Sequence, residues 1–93
     1  MTTYVVTYTH PDEAGWTAHL GPHVDWLVEQ VANGTLRASG PFIDTPVRSA
    51  MLIIDAPDRP ALDAVIASDP FAIEGLIDDM TITEWDPMFG AFA

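Results

Sequence analysis

Two side chains in this sequence, a histidine and an aspartate, are of types that can move or hold a proton. His23 lies in "GPHVDWL", one position before Val24 and four before Leu27, so at helical spacing it borders an apolar face and becomes partly buried. Asp69 lies in "ASDPF", where a helix should end. From the residues alone, structural roles are favoured for both: a capping or packing histidine, and an aspartate that caps a short helical turn opened by Pro70.

The other histidines form weaker patterns. His19 and His23 have the i, i+4 spacing of a helical metal pair, but the intervening Gly21 and Pro22 place His19 before the helix, so no metal site is expected. His10, in "THPDE", is typical of a turn. The sequence contains no phosphate-binding loop, dinucleotide fingerprint or G-x-S-x-G motif, and no cofactor is expected.

The elements that must position these residues follow from the hydrophobic periodicity. A first strand is predicted over 3–9, followed by a helix that opens at "GPH" and closes at Gly34. A second strand ends at Gly40 and Pro41, a third covers 48–55, a second helix covers 56–67 with Asp58 as N-cap, and a last strand covers 78–85. The order β-α-β-β-α-β predicts an α+β, ferredoxin-like fold, in which a four-stranded antiparallel sheet carries both helices on one face.

The third strand is apolar on both of its faces. It offers Ala50, Leu52 and Ile54 to one face and Met51 and Ile53 to the other. Since a sheet with helices on one side should be polar on the other, we expect a homodimer in which two sheets pack face to face. The apolar tail, residues 87–93, either reaches across to the partner or covers the sheet edge of its own chain.

Composition limits the partners. Fourteen acidic residues against three basic ones leave a net charge of −11, which disfavours binding to nucleic acid or to anionic membranes. The absence of cysteine excludes disulfides and thiolate chemistry. The chain has no basic leader and no run of 18 apolar residues, so a cytoplasmic protein is expected. Its 93 residues fit one domain, 1–93, whose small core would gain from a partner subunit.

Four segments, "HVDWL", "NGTLRASGP", "SDPF" followed by "EGL", and "ITEW", resemble in order and spacing the YCII family (YciI-like proteins). The resemblance extends from about Tyr4 to Trp85. It implies a dimeric α+β barrel of ferredoxin-like protomers and an active site built on a histidine-aspartate pair, which corresponds to His23 and Asp69. Asp69 would hold one ring nitrogen of His23 and set its tautomer, leaving the other nitrogen to take or give a proton.

The sequence departs from the family pattern beside this pair. Leu20 stands where many relatives carry an arginine, and Arg48 and Ser49 stand where they carry Gly-Ser. The missing arginine argues against an anionic substrate group unless Arg48 or Arg37 replaces it, and nearby hydroxyls could hydrogen-bond a developing oxyanion. Trp26 or Trp85 could form a wall of the pocket, although core packing is the commoner role of such a ring. The substrate-binding candidates are Tyr8, Trp26, Ser39, Arg48 and Ser49.

Three functions follow from these observations. The first is a cofactor-free lyase or isomerase, in which His23 acts as general base on a small cyclic or phenolic compound. The resemblance supports it, because one relative is similar to a dehydrochlorinase of a hydroxylated ring and other dimeric barrels include lactone isomerases and monooxygenases. The second is a module that binds a small metabolite without chemistry. The third is a dimerisation unit, in which His23 and Asp69 would not be in contact.

Overall fold

The computed structural model describes residues 1–93 and contains four strands and three helices. The strands form one antiparallel sheet in the order β2-β3-β1-β4. The predicted element order and the antiparallel sheet are confirmed, and the short helical turn after Asp69 forms a third helix. The elements are β1 Thr2–Thr9, α1 Glu13–Ala32, β2 Leu36–Pro41, β3 Ser49–Ala56, α2 Arg59–Ala67, α3 Pro70–Ile73 and β4 Asp78–Trp85.

The core lies between the helices and the inner face of the sheet. Alternate residues of β1 point inward, and the antiparallel register sets Tyr4 beside Ile54 and Val6 beside Leu52. α2 covers this face with Leu62 and Ile66, and α1 does so with Trp26. The end of β1 and the start of β3 are neighbours in this sheet, so side chains from both can point toward α1.

The prediction that the first helix opens at "GPH" is wrong. α1 begins at Glu13, where the Asp12 carboxylate accepts a hydrogen bond from the Gly15 N–H at 3.0 Å, and Pro22 lies inside the helix. A proline there removes one backbone hydrogen bond, but the cap, the acidic first turn and a length of 20 residues carry the helix through it. His19 consequently belongs to the same helix as His23, contrary to the expectation, and its ring lies 3.9 Å from the Glu74 carboxylate.

The outer face of the sheet carries the apolar residues predicted for the second face of β3. Ile53 is 5% exposed, and Met51 is partly buried beside it. Part of the tail folds back over this face of its own chain, because the Phe92 ring lies 6.2 Å from Trp85 and 5.6 Å from the Arg37 guanidinium. None of the three helices combines the length and hydropathy needed to cross a membrane.

Candidate active site

Asp69 is the N-cap of α3, as its position before Pro70 predicts. Its Oδ1 atom accepts a hydrogen bond from the Phe71 N–H at 3.0 Å, while Pro70, at the first helical position, has no N–H to satisfy. The side chain is only 1% exposed, whereas most capping aspartates lie at the surface. A buried carboxylate held by the backbone in this way is fixed in position and can fix a second group.

That second group is His23. Its Nδ1 lies 2.7 Å from the same Oδ1 atom of Asp69, and the imidazole is 8% exposed. Since a carboxylate accepts hydrogen bonds, Nδ1 carries the hydrogen and Nε2 of the neutral ring keeps its lone pair. The imidazole stacks on Phe71 with ring centroids 4.0 Å apart and an interplanar angle of 15°. The two residues singled out from the sequence are therefore in contact, contrary to the arrangement expected of a dimerisation unit alone.

His23 lines a pocket of about 390 Å³ between α1 and the ends of β1, β2 and β3. His23 Nε2 has no hydrogen-bond partner in the protein. Every fully buried side-chain nitrogen or oxygen does have one, so Nε2 is not fully buried. A ligand in the pocket can therefore reach the lone pair of His23. The wall includes four of the five residues predicted to bind substrate: Tyr8, Ser39, Arg48 and Ser49.

Tyr8 supplies a hydrogen-bond donor at this wall. Burial raises the pKa of its phenol far above the usual value, and the negative charge of Asp69 raises the pKa further. The hydroxyl therefore keeps its proton throughout the physiological range and can donate to an oxyanion on a ligand.

Arg48 and Ser49 enter the pocket from the start of β3. The Arg48 guanidinium lies 3.7 Å from the centre of the Trp16 ring, and its Nε donates to Glu13 at 3.0 Å. Arg48 thus brings positive charge to the pocket, but α1 already engages it on two sides. Ser49 donates to the Thr45 hydroxyl at 3.1 Å.

Trp26 does not line the pocket. Its indole N–H donates to the Ser68 hydroxyl at 2.8 Å, and its ring stacks near His23 at 6.0 Å. It also belongs to the core cluster. Trp26 therefore supports the imidazole, and its predicted contact with a substrate stays a prediction.

His10 is the pocket residue that sequence analysis missed, and its description as a turn residue is wrong. It is 2% exposed, its Nδ1 lies 2.7 Å from the Leu76 carbonyl oxygen, and its ring packs 4.8 Å from both Tyr8 and Phe71. Burial lowers the pKa of His10, because the imidazolium would lose hydration. The alternation of Tyr4, Val6 and Tyr8 continues to His10 and was the signal for its inward position.

This burial predicts a specific dependence of stability on pH. The folded-state pKa of His10 lies below its unfolded value of about 6.5. The stability that the buried neutral imidazole contributes is therefore fully present above that pH and is lost as the pH falls toward the folded pKa. In urea unfolding between about pH 7.5 and pH 5, the free energy of unfolding should fall less for His10→Phe than for the wild type. The control is His19→Phe, at a partly exposed helical position, and equal losses of stability in all three proteins would contradict the prediction.

The fold and the site together define a class: a ferredoxin-like α+β domain with a buried histidine-aspartate pair beside a pocket. The chain belongs to the YCII-related domain family, whose sequence profile matches residues 1–86. The resemblance found in the sequence is thereby confirmed. No curated protein sequence matches the chain.

Three solved structures illustrate the fold. The 5-chloro-2-hydroxyhydroquinone dehydrochlorinase (TftG) from Burkholderia phenoliruptrix AC1100, in complex with 2,5-dihydroxybenzoquinone, is similar with a TM-score of 0.77 at 15% identity, over 90% of this chain and 93% of that one. An antibiotic biosynthesis monooxygenase is similar with a TM-score of 0.59 at 20% identity, over 95% and 99% of the two chains. A NIPSNAP domain protein from Burkholderia xenovorans is similar with a TM-score of 0.59 at 16% identity, over 100% of this chain and 98% of that one. At these identities the likeness shows the fold alone.

Proposed function

We propose that this protein is a cofactor-free enzyme of the lyase or isomerase type, which moves a proton on a small cyclic or phenolic compound. The observation that carries the proposal is the 2.7 Å contact between His23 Nδ1 and Asp69 Oδ1, which leaves an accessible Nε2 lone pair at the pocket wall. The likeness to a dehydrochlorinase that binds a hydroxylated quinone supports a ligand of this size.

In this mechanism His23 is the general base. Nε2 takes a proton from an acidic O–H or C–H of the bound compound, and the Asp69 carboxylate stabilises the imidazolium that forms. The electron pair left on the substrate develops as an oxyanion, to which the Tyr8 hydroxyl donates a hydrogen bond. The same imidazolium returns the proton to another atom or to a leaving group. Positioned proton transfer of this kind contributes typically about 10²–10⁴-fold to the rate.

Replacement of His23 tests the proposal. A panel of chlorinated and unchlorinated di- and trihydroxybenzenes and small lactones would be screened with the wild type, His23→Gln and His19→Gln. We expect turnover of at least one compound, lost by about 10²-fold or more in His23→Gln and retained in His19→Gln, a matched substitution in the same helix. Turnover that survives in His23→Gln would refute the mechanism. Binding without turnover in the wild type would favour a metabolite-binding module.

We also propose that the protein is a homodimer formed through the outer face of the sheet. Met51 and Ile53 make this face apolar at its centre, although no helix covers it. Light scattering should give about twice the chain mass of 10.1 kDa. Met51→Asp should yield a folded monomer, since it buries a charge between the two sheets. Met80→Asp, at an exposed position, is the control, and a wild-type protein that is monomeric at high concentration would contradict the proposal.

A further inference from the structure

One short segment anchors two imidazoles in the pocket. Its start, Asp69, receives the Nδ1–H of His23, and the Leu76 carbonyl, just after the end of α3, holds Nδ1 of His10. Phe71 lies between the rings, with centroids 4.0 Å from His23 and 4.8 Å from His10. The left-handed backbone of Gly75, φ 68°, turns the chain so that the carbonyl reaches His10. Both rings are thus oriented by the same few residues.

The two imidazoles present the same kind of atom to a ligand. A carbonyl oxygen can only accept, so Nδ1 of His10 carries the hydrogen and its Nε2 keeps a lone pair, as in His23. Neither Nε2 atom has a hydrogen-bond partner in the protein, and every fully buried side-chain nitrogen or oxygen has one. Each Nε2 therefore keeps some exposure, although His10 as a whole is only 2% exposed. The burial that disfavours the imidazolium keeps His10 neutral and therefore an acceptor.

The residues that line the pocket indicate the shape and polarity of the ligand that would fit it. Trp16, Leu20 and Leu27 give the pocket apolar surfaces, which suit a flat ring. Two acceptor nitrogens require two donors on that ring, and Tyr8 offers a donor for an oxygen that loses its proton. The only cation at the wall, Arg48, is already paired with Glu13. A neutral ring with two hydroxyls satisfies these groups, whereas a ring with one hydroxyl leaves an acceptor without a partner.

We propose that His10 is a second substrate-binding residue, whose Nε2 accepts a hydrogen bond from one hydroxyl of a dihydroxylated aromatic ring while His23 acts on the other. This inference rests on the proposed function and deepens it by naming the ligand class. It predicts a preference for diols over phenol, since each diol adds one hydrogen bond while the ring stays the same size.

The test measures the binding of phenol, catechol, resorcinol and hydroquinone under anaerobic conditions by calorimetry. We expect at least one diol to bind the wild type about tenfold more tightly than phenol, which corresponds to about 1.4 kcal/mol. His10→Phe should abolish this preference, so that the diols and phenol bind with similar affinity. His10→Gln, which keeps an acceptor oxygen on a flexible side chain, should retain part of the preference and serves as the test if His10→Phe does not fold.

The outcomes separate this inference from the proposed function. A wild type that binds no diol better than phenol, or that binds none of the four compounds, would overturn the inference. So would a diol preference that persists in His10→Phe or, should that variant not fold, one that His10→Gln leaves unchanged. If turnover depends on His23 while the His10 variants keep the diol preference, the inference fails and the proposed function stands. If the preference depends on His10 but nothing is turned over, the inference stands alone.

Discussion

Asp69→Ala is expected to lower the free energy of unfolding by about 2–4 kcal/mol, and Asp58→Ala by about 1 kcal/mol. Both aspartates are N-caps, and both accept from a backbone N–H, that of Phe71 at 3.0 Å and that of Ala61 at 2.9 Å. Loss of a cap is therefore common to the two variants. Only Asp69→Ala also leaves the buried Nδ1–H of His23 without an acceptor.

The difference between these two variants measures the histidine-aspartate pair. Urea unfolding followed by circular dichroism at neutral pH would give both free energies, and Asp69→Asn adds a third point. Asparagine keeps an oxygen at the Oδ1 position, so it should lose less than alanine. Equal losses for Asp69→Ala and Asp58→Ala would mean that Asp69 is a cap and nothing more, which would remove the energetic basis of the proposed mechanism.

The sequence predicts the fold well because the signals for it are local. Alternation in β1, the continuous apolar run of β3 and the cap at Asp58 each require only neighbouring residues. The start of α1 was missed because two local signals compete. "GP" normally breaks a helix, but the cap at Asp12 and the acidic Glu13 begin it eight residues before Gly21.

The site was less predictable, since its contacts join distant segments. A cap at Asp69 follows from "SDPF", yet nothing local places His23 against the same carboxylate oxygen; only the family resemblance paired them. His10 continues the inward alternation of β1, but its burial depends on the chain beyond α3, where the Leu76 carbonyl meets its ring. The proline after His10 suggested a turn at the surface, but residues 10–12 connect β1 directly to α1 and the imidazole is buried.

Phe71→Ala is expected to have the largest effect on stability, a loss of about 3–5 kcal/mol. The ring is 1% exposed and packs against both imidazoles, so its removal leaves a cavity at the centre of the site. Phe89→Ala is the matched control, because Phe89 is 94% exposed and its loss should change the free energy of unfolding by no more than about 0.5 kcal/mol. Similar losses in the free energy of unfolding for the two variants would contradict the packing of Phe71 against both imidazoles.

A loss of that size can unfold a domain whose total stability is about 5–15 kcal/mol, so Phe71→Leu provides a second measurement. Leucine refills most of the space but has no ring current. The carbon-bound ring protons of His23, which stack over Phe71 in the wild type, should therefore move downfield in Phe71→Leu, and those of His10 should move less because that ring is tilted by 58°. Unchanged His23 signals in a folded Phe71→Leu protein would mean that Phe71 does not hold the base in place, and the orientation of Nε2 would then depend on Asp69 alone.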